Sequence, residues 1–294
     1  MQNLLIVGCG DLARRALPLL LGHYRVYALL RDPAQGAFWR AQGARPLIAD
    51  LDVADGLPRL AGLADIVLHF APPPGEGETD RRTRALLAAL SRGKSLPQRF
   101  IYISTSGVYG NCAGARVDET RPLAPTTARA RRRVDAERRL RRFAGRHSTR
   151  LCILRAPGIY AADRLPVERL RAGTEALRPE DDVYTNHIHA DDLARLVCAA
   201  LRRGRANRCY NASDDTRLKM GDYFDLVADR CGLPRPRRIA RAEAERTLSP
   251  TRLSFMSESR QLENRRIKTE LGFRLRYPTV VDGLATAASE SPSA

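Results

Sequence analysis

The sequence has no long apolar run and very little lysine. A membrane-spanning helix needs about 18 or more consecutive apolar residues, and no stretch of that kind occurs. The first apolar stretch, NLLIVGCG, begins at residue 3 without a basic leader or a cleavage site, which favours a strand over a signal peptide. We therefore expect a protein without a membrane anchor, located in the cytoplasm.

Clustered cysteines are also absent. The six cysteines are scattered, with no C-x-x-C pair and no cluster of histidine and cysteine. A disulfide framework or a zinc site would need such spacings. We expect free, mostly buried thiols and no bound metal.

The positive charge comes almost entirely from arginine. The net charge is +17, and only three of the 50 basic residues are lysine. The densest block, residues 129–142, has eight arginines against Asp135 and Glu137, without interleaved aromatic residues. This pattern favours a solvated helix face. A charge patch alone gives only weak, salt-sensitive binding to nucleic acid, so we expect no nucleic-acid partner.

Apolar runs alternate with helical patterns through the first half of the chain. Nearly continuous apolar runs predict strands at 4–9, 25–31, 44–50, 65–71, 99–105 and 150–157. Helical patterns lie between them at 11–22, 34–42, 55–62, 79–92 and 127–144. This alternation predicts an α/β fold, a Rossmann-type doubly wound parallel sheet.

After residue 158 the alternation loosens. Helices are predicted within 163–175 and 219–232, a loop leading into a helix over 187–204, and a strand over 207–214. We assign residues 1–158 and 187–215 to a dinucleotide-binding domain, and residues 159–186 and 216–284 to a small C-terminal substrate lobe. Residues 285–294 are small and polar and are predicted to be disordered.

The turn after the first strand has the spacing of a dinucleotide-binding loop. VGCGDLARRAL contains Gly8, Gly10 and Ala13, the G-x-G-x-x-A form of this motif. The first glycine permits a tight turn, the second a close approach to a pyrophosphate, and the alanine close packing of helix on strand. With Asp11 and Leu12, these residues predict a nicotinamide dinucleotide as cofactor.

The end of the second strand bears on which nucleotide binds. A carboxylate there binds the ribose 2′-hydroxyl of NAD, whereas an arginine accommodates the 2′-phosphate of NADP. The sequence reads Leu30, Arg31 and Asp32. Arg31 favours NADP, with NAD as the alternative. In the other interpretation Arg31 is solvated and Asp32 caps the next helix.

Two further segments are predicted to line the cofactor. ADL places Asp50 and Leu51 beside the adenine, and HFAPPP places Phe70, Ala71 and Pro72 after the fourth strand. An ordinary surface loop explains the three prolines equally well.

With these residues in view, the chain resembles the extended short-chain dehydrogenase/reductase superfamily, of the NAD-dependent epimerase/dehydratase type. The resemblance is carried, in chain order, by IVGCGDLA, VLHFA, YISTSGVYG, VDETRPLAPTT, LRAPGIY, NHIHADDLA, CYNASDD and IKTELGFRLRYPTVVDGL. It implies that Thr105 is the hydroxyl that binds a substrate oxygen, with Ser104 and Ser106 as alternatives beside it. It also implies that Pro157 lies near the nicotinamide.

The chain departs from this family at its catalytic pair. The family has Tyr-x-x-x-Lys on the helix after the acidic loop, and no such pair occurs in residues 110–150. Counted back from Glu137, the resemblance puts Arg133 at the lysine position and Arg129 at the tyrosine position. Arginine keeps its proton and cannot act as a base, although it can bind an anion. Alternatively, both arginines only extend a solvated basic surface.

A proton-transfer group must then come from elsewhere. Tyr109, Tyr160 and His187 lie on segments that the resemblance places near the site, although each is more often a structural residue. Asp118 and Glu119 are better explained as loop and capping groups than as bases.

Two functions remain open. The first is an NAD(P)-dependent oxidoreductase or epimerase-like enzyme that acts on a small anionic or sugar-like substrate with non-standard acid/base residues. The second is a catalytically silent NAD(P)-binding sensor or regulatory protein. A retained substrate lobe favours the enzyme. We expect a monomer or a homodimer. Members of the family that the chain resembles often dimerise through two long helices, here 79–92 and 127–144, but such an interface would bury many arginines in this chain.

Overall fold

The computed structural model describes residues 1–53 and 55–286. The strands are β1 (Asn3–Val7), β2 (Arg25–Leu30), β3 (Arg45–Ile48), β4 (Ile66–His69), β5 (Arg99–Thr105), β6 (Arg116–Val117), β7 (Arg150–Ala156), β8 (Gly158–Tyr160), β9 (Ala176–Leu177), β10 (Tyr184–Thr185), β11 (His187–His189), β12 (Arg208–Asn211), β13 (Leu218–Lys219), β14 (Arg238–Ile239) and β15 (Gln261–Leu262). The α-helices are α1 (Asp11–Leu21), α2 (Gly36–Ala41), α3 (Arg81–Leu90), α4 (Ala128–His147), α5 (Val167–Arg171), α6 (Ala190–Arg203), α7 (Met220–Arg230), α8 (Arg241–Thr247), α9 (Pro250–Phe255), α10 (Arg265–Glu270) and α11 (Val280–Thr286). Short 3₁₀ turns occupy Pro33–Gln35, Leu57–Leu60, Ser106–Tyr109 and Ala162–Arg164.

Seven strands form the central sheet. Their order is β12-β7-β5-β4-β1-β2-β3, and every neighbouring pair is parallel. One face packs on α1 and α6, and the other on α3 and α4. Because both faces are covered, the strands are apolar along nearly their whole length. The predicted Rossmann-type α/β fold is confirmed.

Three predicted elements differ from the structure. The helix predicted over 55–62 is only the 3₁₀ turn Leu57–Leu60, because Gly56 enters it in a left-handed conformation and Pro58 lies inside it. The helix predicted within 163–175 is reduced to α5 and is followed by the left-handed Gly173. Residues 187–189 form β11 rather than a loop, because they pair with β8.

The chain returns to the central sheet after β11. Helix α6 packs against α1, and β12 pairs with β7 at the sheet edge. The later segments form two smaller apolar cores, one around α7 and α11 and one around α8. The division into a dinucleotide-binding domain and a substrate lobe remains a prediction.

The cysteines, the apolar character of the helices and the C-terminal residues were also the subject of predictions. All six cysteines are free thiols and four of them are buried. Within the described ranges no helix is long and apolar enough to cross a membrane. Residues 285 and 286 end α11, so the disordered tail predicted from 285 begins too early. Residues 287–294 lie outside the described residues.

A buried ionic cluster fastens α4 to the sheet. The Glu137 carboxylate on α4 pairs with the Arg155 guanidinium on β7 at 2.7 Å, and both side chains are buried. The Ser104 hydroxyl donates to Glu137 at 2.6 Å. Arg155 also donates to the Tyr109 hydroxyl, which donates in turn to Asn211 on β12. This cluster joins α4 to β5, β7, β12 and the turn after β5.

Removing one member of the Glu137–Arg155 pair should cost much stability. Glu137→Ala leaves a buried guanidinium without its carboxylate, which typically costs about 3–5 kcal/mol. The matched control is Glu168→Ala, because Glu168 forms a surface pair with Arg171 and is mostly exposed. That change should cost about 1 kcal/mol or less. Urea unfolding of both variants measures the difference, and equal losses would contradict the expectation.

A buried carboxyl group should make stability depend on pH. Asp214 is 3% exposed; its Oδ1 accepts from the Thr216 N–H, and its Oδ2 has no hydrogen-bond partner within the described residues. Burial raises its pKa to about 7. The folded state therefore binds a proton that the unfolded state has lost, and this group's contribution to stability falls as the pH rises from about 4 to 7.

Asp214→Asn should remove that contribution. The difference in unfolding free energy between variant and wild type should shift in favour of the variant as the pH rises from 4.5 to 7.5, because asparagine stays neutral. Urea unfolding at several pH values measures this difference. A difference that stays constant across this range would show that Asp214 has an ordinary pKa.

Candidate functional site

A groove crosses the sheet at the C-terminal ends of β1, β2 and β4. Its volume is about 480 Å³. Ligands of open α/β sheets bind at this edge, outside the carboxyl ends of the strands. The lining residues are Val7, Gly8, Cys9, Gly10, Asp11, Leu12, Leu29, Leu30, Arg31, Asp32, Gln35, Ala49, Asp50, Leu51, Phe70, Ala71, Pro72, Arg82, Ile103, Arg133 and Ile159.

The loop after β1 has the geometry that its glycines suggest. Gly8 has φ +98°, and a Cβ there would lie 2.2 Å from the Ala71 backbone nitrogen. A side chain at Gly8 is therefore excluded both by conformation and by space. Gly10 precedes α1 without a side-chain cap. A Cβ added at Gly10 would have no described atom within 4 Å, so the space in front of the helix is open. Uncapped N–H groups at the start of α1 can thus donate hydrogen bonds to an anion. Ala13 is fully buried in α1.

The next loop separates the two neighbouring charges. The Asp32 carboxylate accepts from the Ala34 N–H at 2.9 Å and caps the turn at Pro33–Gln35. Arg31 is exposed at the groove and has no hydrogen bond or ion pair with any described residue. The guanidinium is therefore free to bind a ligand, whereas the carboxylate is already engaged.

The loop after β4 closes the groove from the other side. Phe70, Ala71 and Pro72 line it, and the Pro72 carbonyl accepts from Arg82 at 3.1 Å. Arg82 also pairs with Asp52 at 2.5 Å. Sequence reasoning missed Arg82, because nothing in the pattern of α3 distinguishes it from the neighbouring arginines.

The far end of the groove lies beside the end of β5. Arg133 of α4 is half-buried, and its Nη1 donates to the Ile103 carbonyl at 2.8 Å and to the Tyr102 hydroxyl at 3.1 Å. Thr105 lies two residues beyond Ile103, on the same face of the strand. Its Oγ1 accepts from the Gly107 N–H at 3.2 Å. Arg133 thus places a fixed positive charge at this end of the groove, whereas Thr105 is not among the residues that line it.

Like Thr105, the three other hydroxyl candidates are absent from the groove lining. Ser104 lies on the opposite face of β5 from Thr105, where it is bonded to Glu137. Ser106 is 5% exposed and does not line the groove. The Tyr109 hydroxyl is held between Arg155 and Asn211, and burial raises its pKa far above the ordinary value. These placements correct the expectation that these side chains face a substrate.

Arg129 and Pro157 also lie outside the groove lining. The Arg129 guanidinium stacks on the Phe255 ring, 4.1 Å from its centroid, although the side chain remains exposed. Pro157 is half-buried, and Ile159 takes the predicted place beside the groove. The position of Arg129 was not evident from sequence, because it depends on the contact with Phe255, which is distant in the chain.

The other candidates for proton transfer are structural. The Tyr160 hydroxyl donates to the Thr279 carbonyl, and burial raises its pKa well above the usual range. His187 stacks on Tyr223, and burial lowers its pKa to about 3. The imidazole of His187 is therefore neutral near pH 7.

Both carboxylates of the acidic loop accept backbone hydrogen bonds. The Asp118 carboxylate accepts from the Thr120 N–H at 2.8 Å, which makes it a turn residue. Glu119 accepts from the Asn211 N–H and lies 3.4 Å from the Arg266 guanidinium. In the described residues that line the groove there is no histidine or tyrosine.

An ionic cluster at the mouth of the groove was not foreseen. Arg15 of α1 binds three carboxylates, those of Asp11, Asp163 and Asp191, at 2.6–3.0 Å. Arg164 also pairs with Asp11. Burial acts to raise the pKa of Asp11, but hydrogen bonds from both arginines outweigh it and lower that pKa. The cofactor-loop carboxylate therefore links α1 to the segment after β8.

Known proteins of similar sequence share this architecture. Residues 5–213 match the model of the NAD dependent epimerase/dehydratase family. A dTDP-glucose 4,6-dehydratase of Streptomyces niveus is 26% identical over 259 residues, which cover 81% of this chain and 72% of that protein.

Solved structures agree with this result. A conserved protein of unknown function from Silicibacter pomeroyi is 31% identical and superposes with a TM-score of 0.80 over 100% of both chains. A dTDP-glucose 4,6-dehydratase double mutant from Streptomyces venezuelae, with NAD and DAU bound, has a TM-score of 0.78 at 22% identity, covering 99% of this chain and 98% of its own. At that identity the second likeness shows the fold alone. The family match covers most of this chain, which therefore belongs to the NAD-dependent epimerase/dehydratase family.

Proposed function

We propose that this protein is an NAD(P)-linked oxidoreductase or epimerase-like enzyme for a small, anionic or sugar-like substrate. The observation that carries the proposal is the position of Arg133. Its charged group lies in the groove, bonded to the strand that ends in Thr105. A silent nucleotide-binding protein would not need a half-buried positive charge at this point.

The nucleotide would lie along the groove. The loop residues Gly8 and Gly10 would admit its pyrophosphate, and the uncapped start of α1 would bind the phosphate charge. The further residues that we propose for the cofactor are Asp11, Leu12, Ala13, Arg31, Asp50, Leu51, Phe70, Ala71 and Pro72. NADP is favoured over NAD, because Arg31 has no hydrogen bond or ion pair with any described residue and Asp32 is engaged as a cap.

The residues of this chain would orient and polarise the substrate. When bound, the nicotinamide supplies or accepts the hydride. The Thr105 hydroxyl would hold the substrate oxygen, and Arg133 would stabilise negative charge on it without giving up a proton. The proton would then exchange with water in the open groove. A positioned acid or base typically contributes a factor of about 10²–10⁴, so we expect slow turnover.

Location and assembly are part of the proposal. Six free thiols favour the reducing cytoplasm. The surface between α3 and α4 is lined by Arg84, Arg139, Arg142 and Arg146. Two such surfaces facing each other would repel, which favours a monomer over a homodimer through these helices.

Nucleotide binding is the first test. Calorimetry with NADPH and NADH should show tighter binding of NADPH, because Arg31 meets the 2′-phosphate. Arg31→Ala should weaken NADPH binding by about tenfold or more and leave NADH binding nearly unchanged. Gly8→Ala should abolish both. If wild type binds neither nucleotide, the proposed function is wrong.

A second test separates the enzyme from a silent sensor. We expect NADPH oxidation with at least one member of a panel of small oxo acids and oxidised sugars. Arg133→Met should lower that turnover by at least about a hundredfold, as loss of a preorganised charge does, while NADPH affinity changes far less. Intact nucleotide binding with no turnover on any panel member would favour the sensor.

A further inference from the structure

The start of α4 is unusually positive. Its first six residues, ARARRR, include four arginines, and its first turn has no acidic residue. The N-terminal end of a helix carries a partial positive charge of its own, which disfavours cations there. This arrangement weakens the helix unless negative charge is supplied from elsewhere.

The protein supplies little of that negative charge. Arg131 pairs with Glu78 at 2.9 Å. Arg129, Arg132 and Arg133 have no carboxylate partner within the described ranges, although they lie on one face of the helix at i, i+3 and i+4. Of these three side chains Arg129 is exposed, Arg133 is half-buried and Arg132 is buried, so only part of this face is solvated.

Arg132 is buried without a counter-charge. It is 7% exposed, its Nη1 donates to the Gly77 carbonyl, and its buried Nε has no hydrogen-bond partner among the described residues. Burying an unpaired charge is costly. A bound anion would reduce this cost.

A fourth arginine comes from the C-terminal lobe. Arg260 is 9% exposed, pairs with Glu258 at 2.9 Å and donates to the Gly110 carbonyl at 2.5 Å. Its Nε is also buried without a partner in the described part of the chain. Burial lowers the pKa of Arg129; Glu258 opposes this, and the positive charges of Arg260 and Arg132 add to it. Arg132 and Arg260 are therefore both close enough to Arg129 for their charges to act on it.

The cluster lies beside the predicted substrate hydroxyl. The 3₁₀ turn after Thr105 contacts the start of α4, where a Cβ on Gly107 would lie 3.6 Å from Thr105 and 3.8 Å from Ala130. The same turn ends at Gly110, which Arg260 contacts. The arginines thus surround the junction between the turn, α4 and the lobe.

We propose that Arg129, Arg132, Arg133 and Arg260 form a binding site for an oxyanion, the carboxylate or phosphate group of the substrate. Arg129 and Arg133 are the accessible members and would contact the anion, since planar guanidiniums bind such groups through paired hydrogen bonds. Arg132 and Arg260 lie behind them and set the local positive potential. This inference rests on the proposed function. It narrows the proposed substrate to one that has a carboxylate or phosphate group.

Direct anion binding tests the proposal. Inorganic phosphate and malonate are titrated against the full chain by calorimetry, with sodium chloride at equal ionic strength as reference. Wild type should bind at least one of them. Arg129→Gln should weaken that binding by about tenfold or more. Arg129 is exposed, so the variant should fold, and its unfolding midpoint is measured alongside.

Two controls locate the anion. Arg138→Gln changes an exposed arginine of the same helix without an ion pair in the described residues and should leave anion binding unchanged. Arg31→Ala should also leave it unchanged. Binding that is lost in Arg31→Ala but kept in Arg129→Gln would put the anion in the nucleotide groove and overturn the proposal. No binding beyond that of chloride would overturn it as well.

The same samples separate this inference from the proposed function. NADPH affinity should be retained in Arg129→Gln. Anion binding that depends on Arg129, in a protein that binds no nucleotide, would sustain the anion site and remove the proposed enzyme. Nucleotide binding without anion binding would overturn the anion site and leave the proposed function standing.

Discussion

The buried pair of Glu137 and Arg155 sets the position of α4, and the site depends on that position. Glu137 accepts hydrogen bonds from β5 and β7 inside the core. One turn towards the N-terminus, about 5–6 Å along the axis, Arg133 reaches the end of the groove. A further turn places Arg129 against Phe255 of α9. Glu137, Arg133 and Arg129 are spaced four residues apart on one side of α4. They contact the core, the groove and α9, respectively.

Arginine at two positions changes what this helix can do. A tyrosine and lysine pair transfers protons, because a phenol can lose its proton when a neighbouring charge stabilises the phenolate. A guanidinium keeps its proton at any physiological pH. Arg133 therefore gives the far end of the groove a fixed positive charge, and the described residues that line the groove include no histidine or tyrosine. Under the proposed function, such a site would suit an anionic substrate better than a neutral alcohol.

The same helix is electrostatically strained at its start. Unpaired cations next to the positive end of a helix lower stability, and local conflicts of this kind are found mainly at functional sites. The core pair at Glu137 offsets the cost, because it holds α4 in place independently of its first turn. The proposed anion site therefore lies at the first turn of α4, whereas the contacts that hold the helix in place lie further along it, at Glu137.

The sequence by itself determined the central fold and the cofactor loop. Continuous apolar runs specify parallel strands covered on both sides, and the spacing of Gly8, Gly10 and Ala13 specifies the turn, since these are local features of the chain. The sequence also showed that no Tyr-x-x-x-Lys pair is present. These inferences need only the order of residues.

Only the tertiary structure decided which side chains reach the groove. Thr105 lies on the same face of β5 as the groove-lining Ile103, and Ser104 lies on the opposite face, bonded to Glu137. Successive residues of a strand alternate between two faces, but only the tertiary structure shows which face borders the groove. Tyr109 has its hydroxyl in the core because Asn211, 102 residues away, accepts from it. Arg129 leaves the groove for Phe255, and Arg15 joins Asp11 to Asp163. Each of these outcomes depends on contacts between distant segments, which the local pattern of a sequence does not contain.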